Sequence, residues 1–87
     1  MDTAETIRRK LQAAFRPDVL EVMDDSESHR GHGGWREGGG THFNVVIRAA
    51  AFNGLGRVER SRAVHSVLRE ELAGGVHALA LDVAGTA

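Results

Sequence analysis

The fold is decided by residues 42–83, HFNVVIRAAAFNGLGRVERSRAVHSVLREELAGGVHALALDV. Near its start, Phe43, Val45 and Ile47 alternate with other residues and share one face, which is typical of a half-buried strand. A second alternation over 76–83 predicts another strand. A helix-like segment separates the two, and strand–helix–strand units favour parallel pairing with a right-handed crossover.

The segment between these strands predicts one helix from about Arg57 to Ala73. The pair Gly74-Gly75 is expected to end it, with a residue at positive φ. The glycines of the preceding turn interrupt the strand pattern, and a short extra helical turn is expected around 53–58. The crossover is therefore predicted to be helical almost throughout.

Upstream of this segment, the chain predicts a helix. Asp2 and Glu5 have capping-box spacing, and Pro17 marks the end of the helix. Three apolar residues recur every four positions: Ile7, Leu11 and Phe15. This spacing places them on one helical face, which is expected to pack on the core.

A short strand over 19–23 follows, and it is expected to pair antiparallel with the strand that begins near residue 42. Residues 24–41 are polar and glycine-rich, which predicts a long loop. The predicted fold is α+β in the order αββ(α)αβ, with a three-stranded mixed sheet and the helices on one face. Residues 1–87 are expected to form a single domain.

Composition excludes several classes of protein. The 87 residues carry 11 Lys and Arg against 12 Asp and Glu, and this balance argues against a protein that mainly coats nucleic acid. There is no cysteine, hence no disulfide, thiol nucleophile or self-contained all-cysteine iron–sulfur site. No apolar run is nearly long enough to cross a membrane, and no apolar signal-peptide core follows the N-terminus. A cytoplasmic protein is therefore expected.

Four short motifs carry a resemblance to a known family. They are Thr41-His42-Phe43, Phe52-Asn53-Gly54, the segment 64–72 (VHSVLREEL) and the segment 76–79 (VHAL). In order and spacing this set resembles the BolA family over nearly the whole chain. The resemblance implies a class II KH-like fold and a non-enzymatic role. It also implies a heterodimer with a monothiol glutaredoxin, bridged by a [2Fe-2S] cluster that glutathione helps to bind.

The same resemblance selects histidines from the five in the chain. His77 matches the family's persistent cluster ligand. His32 matches the second, more variable ligand, with His29 as the alternative three residues earlier. Two histidines cannot complete two iron coordination spheres, so the remaining ligands must come from outside this cysteine-free chain. His42 and His65 are interpreted as a structural residue and a surface residue, respectively.

A second function remains open, namely DNA-binding transcriptional regulation. Arg57, Arg60 and Arg62 place positive charge at the start of the crossover helix, where arginines could contact phosphates. Two observations weaken this alternative. The family usually has Arg-His-Arg where this chain has Arg60-Ser61-Arg62, and the turn 53–56 lacks the G-x-x-G loop of KH domains. Alone, the protein is expected to be a monomer or weak homodimer.

Overall fold

The computed structural model describes residues 2–25 and 42–87. The elements occur in the order α1 (Thr3–Phe15), β1 (Val19–Asp24), β2 (His42–Arg48), a 3₁₀ turn (Ala50–Phe52), α2 (Arg57–Val67), α3 (Arg69–Gly74) and β3 (Ala78–Ala84). This is the α+β architecture predicted from the sequence.

The three strands form one mixed sheet in the order β1-β2-β3. β1 pairs antiparallel with β2, and the register places Val22 opposite Val45. β2 pairs parallel with β3, and the same Val45 faces Leu81 on that side. Both predicted pairings are confirmed.

The helices cover one face of this sheet. The odd-numbered residues of β2, from Phe43 to Ile47, are buried there together with Ala49. Helix α1 contributes Ile7 and Leu11, both fully buried. The opposite face carries exposed apolar side chains, including Met23 of β1. The alternation read from the sequence thus identified the core face of β2.

Both ends of α1 follow from local chemistry. The Asp2 side chain accepts a hydrogen bond of 2.8 Å from the Glu5 backbone N–H, and so satisfies one of the unpaired amides of the first turn. Arg16 ends the helix in the left-handed region, at φ 47°, and donates its backbone N–H to Gln12. Pro17 then prevents the helix from continuing.

The crossover differs from the prediction in three respects. The short helical turn lies at Ala50–Phe52, before the expected 53–58. The predicted single helix is divided at Leu68, whose backbone (φ −99°, ψ 18°) leaves the helical region. Gly75 has φ 170° and ψ −9°, which lies outside the left-handed region, so the cap expected at the helix end is wrong. Positive φ occurs instead at Gly54, with φ 80°, where the turn requires it.

Two strand limits also need correction. Asp24 is the last residue of β1 and pairs with Phe43, so the predicted loop 24–41 starts too early. β3 begins at Ala78, whereas the prediction began at residue 76. Val76 is nevertheless buried in the core, which explains why the apolar pattern included it in the strand.

Candidate functional site: a histidine pair and a basic cleft

His77 is exposed in the short connection between α3 and β3. The predicted strand over 76–83 included His77, and that placement is wrong because β3 begins at Ala78. An imidazole in this position is accessible to a ligand or to a second protein. This is the side chain on which the predicted metal function depends.

The neighbour of His77 is His42, at the start of β2. The two ring centroids are 6.4 Å apart, with the rings tilted by 37°. His42 is only 8% exposed, so it forms the buried partner of an accessible histidine. The parallel register, which pairs His42 with Ala78, brings them together. From the sequence, His42 was interpreted as a structural residue. The predicted parallel pairing puts the starts of both strands at the same end of the sheet, but the register that brings His42 beside His77 is seen only in the structure.

The other histidines are distributed differently. His65 is exposed on α2, as expected, and its Nδ1 lies 2.8 Å from the Ser61 backbone carbonyl. His29 and His32 lie outside the described residues, so their assignment stays a prediction. Within 2–25 and 42–87, no group of three or more His, Cys, Asp or Glu side chains is placed to hold a metal ion.

A second feature is an open cleft of about 610 Å³ between α2 and β3. Its helical wall consists of Arg57, Arg60, Ser61 and His65, and its other wall is formed by residues 79 and 81–84 of β3. The structure thus brings together two of the three arginines predicted to bind nucleic acid. Arg62 is exposed but does not line the cleft.

The cleft carries unneutralised positive charge. Neither Arg57 nor Arg60 forms an ion pair with any residue in the described part of the chain. The Arg60 Nε atom is buried and has no hydrogen-bond partner among the same residues. Buried polar atoms are normally satisfied, so an unsatisfied N–H beside a cleft indicates a place for an acceptor.

Elsewhere, one group of ion pairs connects two helices and another ion pair connects two strands. Lys10 of α1 lies 2.8 Å from Glu71 and 3.3 Å from Glu70 of α3. The hydrogen bond to Glu71 raises the pKa of Lys10 above its usual value of 10.5. On the open face of the sheet, Arg48 of β2 lies 3.1 Å from Asp82 of β3. These contacts belong to the scaffold.

The fold and site define a class of protein, a small α+β domain whose parallel crossover brings an accessible histidine to one end of the sheet. A sequence model described as BolA-like protein matches residues 11–87. The chain therefore belongs to the BolA family, as the resemblance predicted.

Known relatives agree with this assignment. BolA-like protein 1 of Bos taurus is 45% identical over 76 residues, which cover 87% of this chain and 53% of that protein. The DNA-binding transcriptional regulator BolA of Escherichia coli is 44% identical over 77 residues, covering 88% of this chain and 70% of that protein. The structure of BolA1 from Arabidopsis thaliana superposes with a TM-score of 0.88 at 36% identity, covering 99% and 94% of the two chains.

These relatives differ in length and setting. The chain spans about half of the bovine relative. Another relative, from Arabidopsis thaliana, is named as chloroplastic. In the described residues, no helix is long and apolar enough to cross a membrane.

Proposed function

We propose that this protein is a non-enzymatic adaptor of iron–sulfur metabolism that forms a heterodimer with a monothiol glutaredoxin. In this complex His77 is a ligand to a bridging [2Fe-2S] cluster. The observation that supports the proposal most directly is the exposed position of His77 at the end of the sheet, in a BolA-family chain without cysteine. A ligand to a shared cluster must be accessible from outside its own chain.

The donor set fits a shared cluster. His77 would provide one imidazole, and His32, with His29 as the alternative, would provide a second. Glutaredoxin and glutathione thiolates would complete the iron coordination. Histidine in place of thiolate raises the reduction potential of a [2Fe-2S] cluster, and because the imidazole must be neutral to bind iron, ligation depends on pH.

The buried His42 would limit the movement of the His77 side chain. Their ring centroids lie 6.4 Å apart, and His42 is the first residue of the central strand. A second layer of side chains that limits how a ligand moves is common around metal sites. In this proposal His42 positions His77, and of these two histidines His77 alone contacts the cluster.

The proposal is tested by titrating the protein into a cluster-loaded monothiol glutaredoxin, followed by visible absorption and circular dichroism. We expect a spectral change that saturates at one protein per glutaredoxin and that is lost in His77→Ala. The matched control is His65→Ala, which removes another exposed histidine and should leave the change intact. His29→Ala and His32→Ala, compared in the same titration, identify the second ligand.

If His77→Ala produced the same spectral change as the wild-type protein, His77 would be refuted as a ligand. Failure of the wild-type protein to alter the spectrum, with the two proteins eluting separately, would remove the cluster function for that glutaredoxin.

DNA binding is the second candidate function. It is supported by the name of the Escherichia coli relative and by the shared position of Arg57 and Arg60 in one cleft. The position of Arg62 outside the cleft and the net charge of −1 count against it. This function would be favoured if the protein bound duplex DNA with an affinity that falls steeply as salt is added.

A further inference from the structure

We propose that the cleft between α2 and the outer edge of β3 binds an extended acidic peptide from a partner protein, which adds to the sheet as a further strand. β3 is an edge strand, because β2 is its only strand neighbour in the described part of the chain. Edge strands present unpaired backbone groups that can pair with another chain. This inference goes beyond the proposed function and involves neither His77 nor a metal.

The direction of the backbone groups follows from one hydrogen bond. The Ala49 N–H donates to the Ala84 carbonyl at 3.2 Å, so Ala84 turns its polar backbone groups towards β2. Successive residues of a strand point these groups to opposite sides. Ala80 and Asp82 therefore point these groups towards β2, as Ala84 does. The alternate residues, Leu79, Leu81 and Val83, present their N–H and C=O groups at the outer edge. The same three residues line the cleft.

The helical wall supplies the charge that selects an acidic partner. Arg57 and Arg60 form no ion pair in 2–25 or 42–87, and Arg60 Nε is buried without an acceptor. Guanidinium groups bind carboxylates through paired N–H donors. His65, whose Nδ1 lies 2.8 Å from the Ser61 backbone carbonyl, also lines this wall. A strand laid along β3 would direct alternate side chains towards this wall.

Two features favour a peptide over a nucleic acid. The outer edge offers donors and acceptors in alternation, and another strand satisfies both kinds. Single-stranded nucleic acids bind largely by stacking bases on aromatic side chains, and no Phe, Tyr or Trp is among the cleft-lining residues in the described part of the chain.

The charge of β3 argues against a second copy of this chain as the occupant. The only acidic residue of β3 is Asp82, and Arg48 already binds it at 3.1 Å. A β3 strand from another molecule would therefore bring no uncommitted carboxylate to the two arginines. A separate, acidic segment meets the charge requirement better.

The test uses a fluorescein-labelled peptide of about eight residues in which Glu and Thr alternate, enough to span the seven residues of β3. We expect binding by fluorescence anisotropy at low ionic strength. Replacement of both Arg57 and Arg60 by Gln should weaken it by about tenfold or more, as expected for two lost charge pairs. The matched control is Arg62→Gln on the same helix, which should change the affinity less than about twofold.

Amide hydrogen exchange by NMR tests the strand geometry with the unmodified protein. Peptide binding should slow exchange at Leu79, Leu81 and Val83, whose amides point outward. Ala80 and Asp82, which already face β2, should show little change. The same peptide N-methylated at alternate residues cannot form the ladder and should bind at least about tenfold more weakly.

Three results would overturn the proposal. The first is peptide binding without the alternating protection. The second is a single-stranded oligonucleotide of similar length that binds more tightly than the peptide and loses affinity in the double arginine variant. The third is protection of the outward amides in the free protein that disappears on dilution, because a second copy would then occupy the edge.

Discussion

Replacement of Gly85 by alanine should weaken the hydrogen bonds that connect the residues after β3 to the turn before α2, and so lower the stability of the protein. Asn53, in that turn, accepts hydrogen bonds through Oδ1 from the backbone N–H groups of Thr86, at 2.7 Å, and Ala87, at 3.2 Å. Its Nδ2 also lies 3.4 Å from the Thr86 hydroxyl. A Cβ on Gly85 would lie well inside van der Waals contact with Oδ1 and 3.1 Å from the Asn53 Cα. The side chain that holds the terminal residues would have to move.

The size of the effect follows from the bonds at risk. Each intramolecular hydrogen bond contributes about 0.5–1.5 kcal/mol net, and these bonds are exposed, so the lower part of that range applies. Loss of the two bonds to backbone amides should cost about 1–2 kcal/mol. For a domain of this size, about 1 kcal/mol corresponds to a change in Tm of roughly 4–8 °C.

Thermal unfolding followed by far-ultraviolet circular dichroism measures this cost, and Gly74→Ala is the matched control. Gly74 is the last residue of α3, and an added Cβ there meets nothing within 4 Å. Because alanine favours the helix over glycine, Gly74→Ala should raise the unfolding free energy by up to about 0.5 kcal/mol. Replacement of glycine by alanine is thus expected to lower the unfolding free energy at position 85 and to raise it at position 74.

A double-mutant cycle tests the cause. In an Asn53→Ala background the Oδ1 atom is gone, so Gly85→Ala should cost much less than in the wild-type protein. Additive effects of the two substitutions would refute the clash with Asn53, and so would a Gly85→Ala variant with wild-type stability.

Three further predictions concern the scaffold and the histidine pair. Asp2→Ala removes the cap of α1 and should lower the unfolding free energy by about 1 kcal/mol in urea denaturation, whereas Asp2→Asn should retain most of it. Contact with Glu71 raises the pKa of Lys10, so its stabilising effect is complete below pH 10.5 and is lost as the pH rises through the raised pKa. The stability difference between wild type and Lys10→Met should therefore be constant to about pH 10 and shrink above it; a constant difference at higher pH would contradict this. Finally, His77→Ala should change the unfolding free energy by less than about 0.5 kcal/mol because His77 is exposed, while His42→Ala should lower it by more because His42 is buried. Equal effects of the two substitutions would contradict this difference in burial.

Much of the fold could be predicted from the sequence because its signals are local. The spacing of Ile7 and Leu11 identified the buried face of α1, and the alternation around Val45 identified the core face of β2. The break at Leu68 could not be predicted in this way, since no glycine or proline lies between residues 57 and 73. Val64 and Leu68 are both fully buried, and tertiary packing at such positions can override the local preference that the sequence indicates.

The candidate site was less predictable because it depends on strand register. The sequence indicates that His77 precedes a strand, but not which residue of the neighbouring strand lies beside it. The register that pairs His42 with Ala78 supplies that information, and only the assembled sheet contains it. The cleft has the same origin: Arg57 and Arg60 were identified as basic residues, while the unpaired edge of β3 beside them is a property of strand order.

Parallel pairing of β2 and β3 accounts for both features at once. Parallel strands begin at the same end of the sheet, so the start of β3 brings His77 next to His42. Parallel strands also require a crossover, and here it is α2 that contacts β3 and forms the basic wall of the cleft. Antiparallel pairing would place the start of β3 beside Arg48 and separate the histidines. Because different residues form the histidine pair and the peptide cleft, substitutions in one should leave the other intact, and binding of a glutaredoxin and of an acidic peptide can be measured separately.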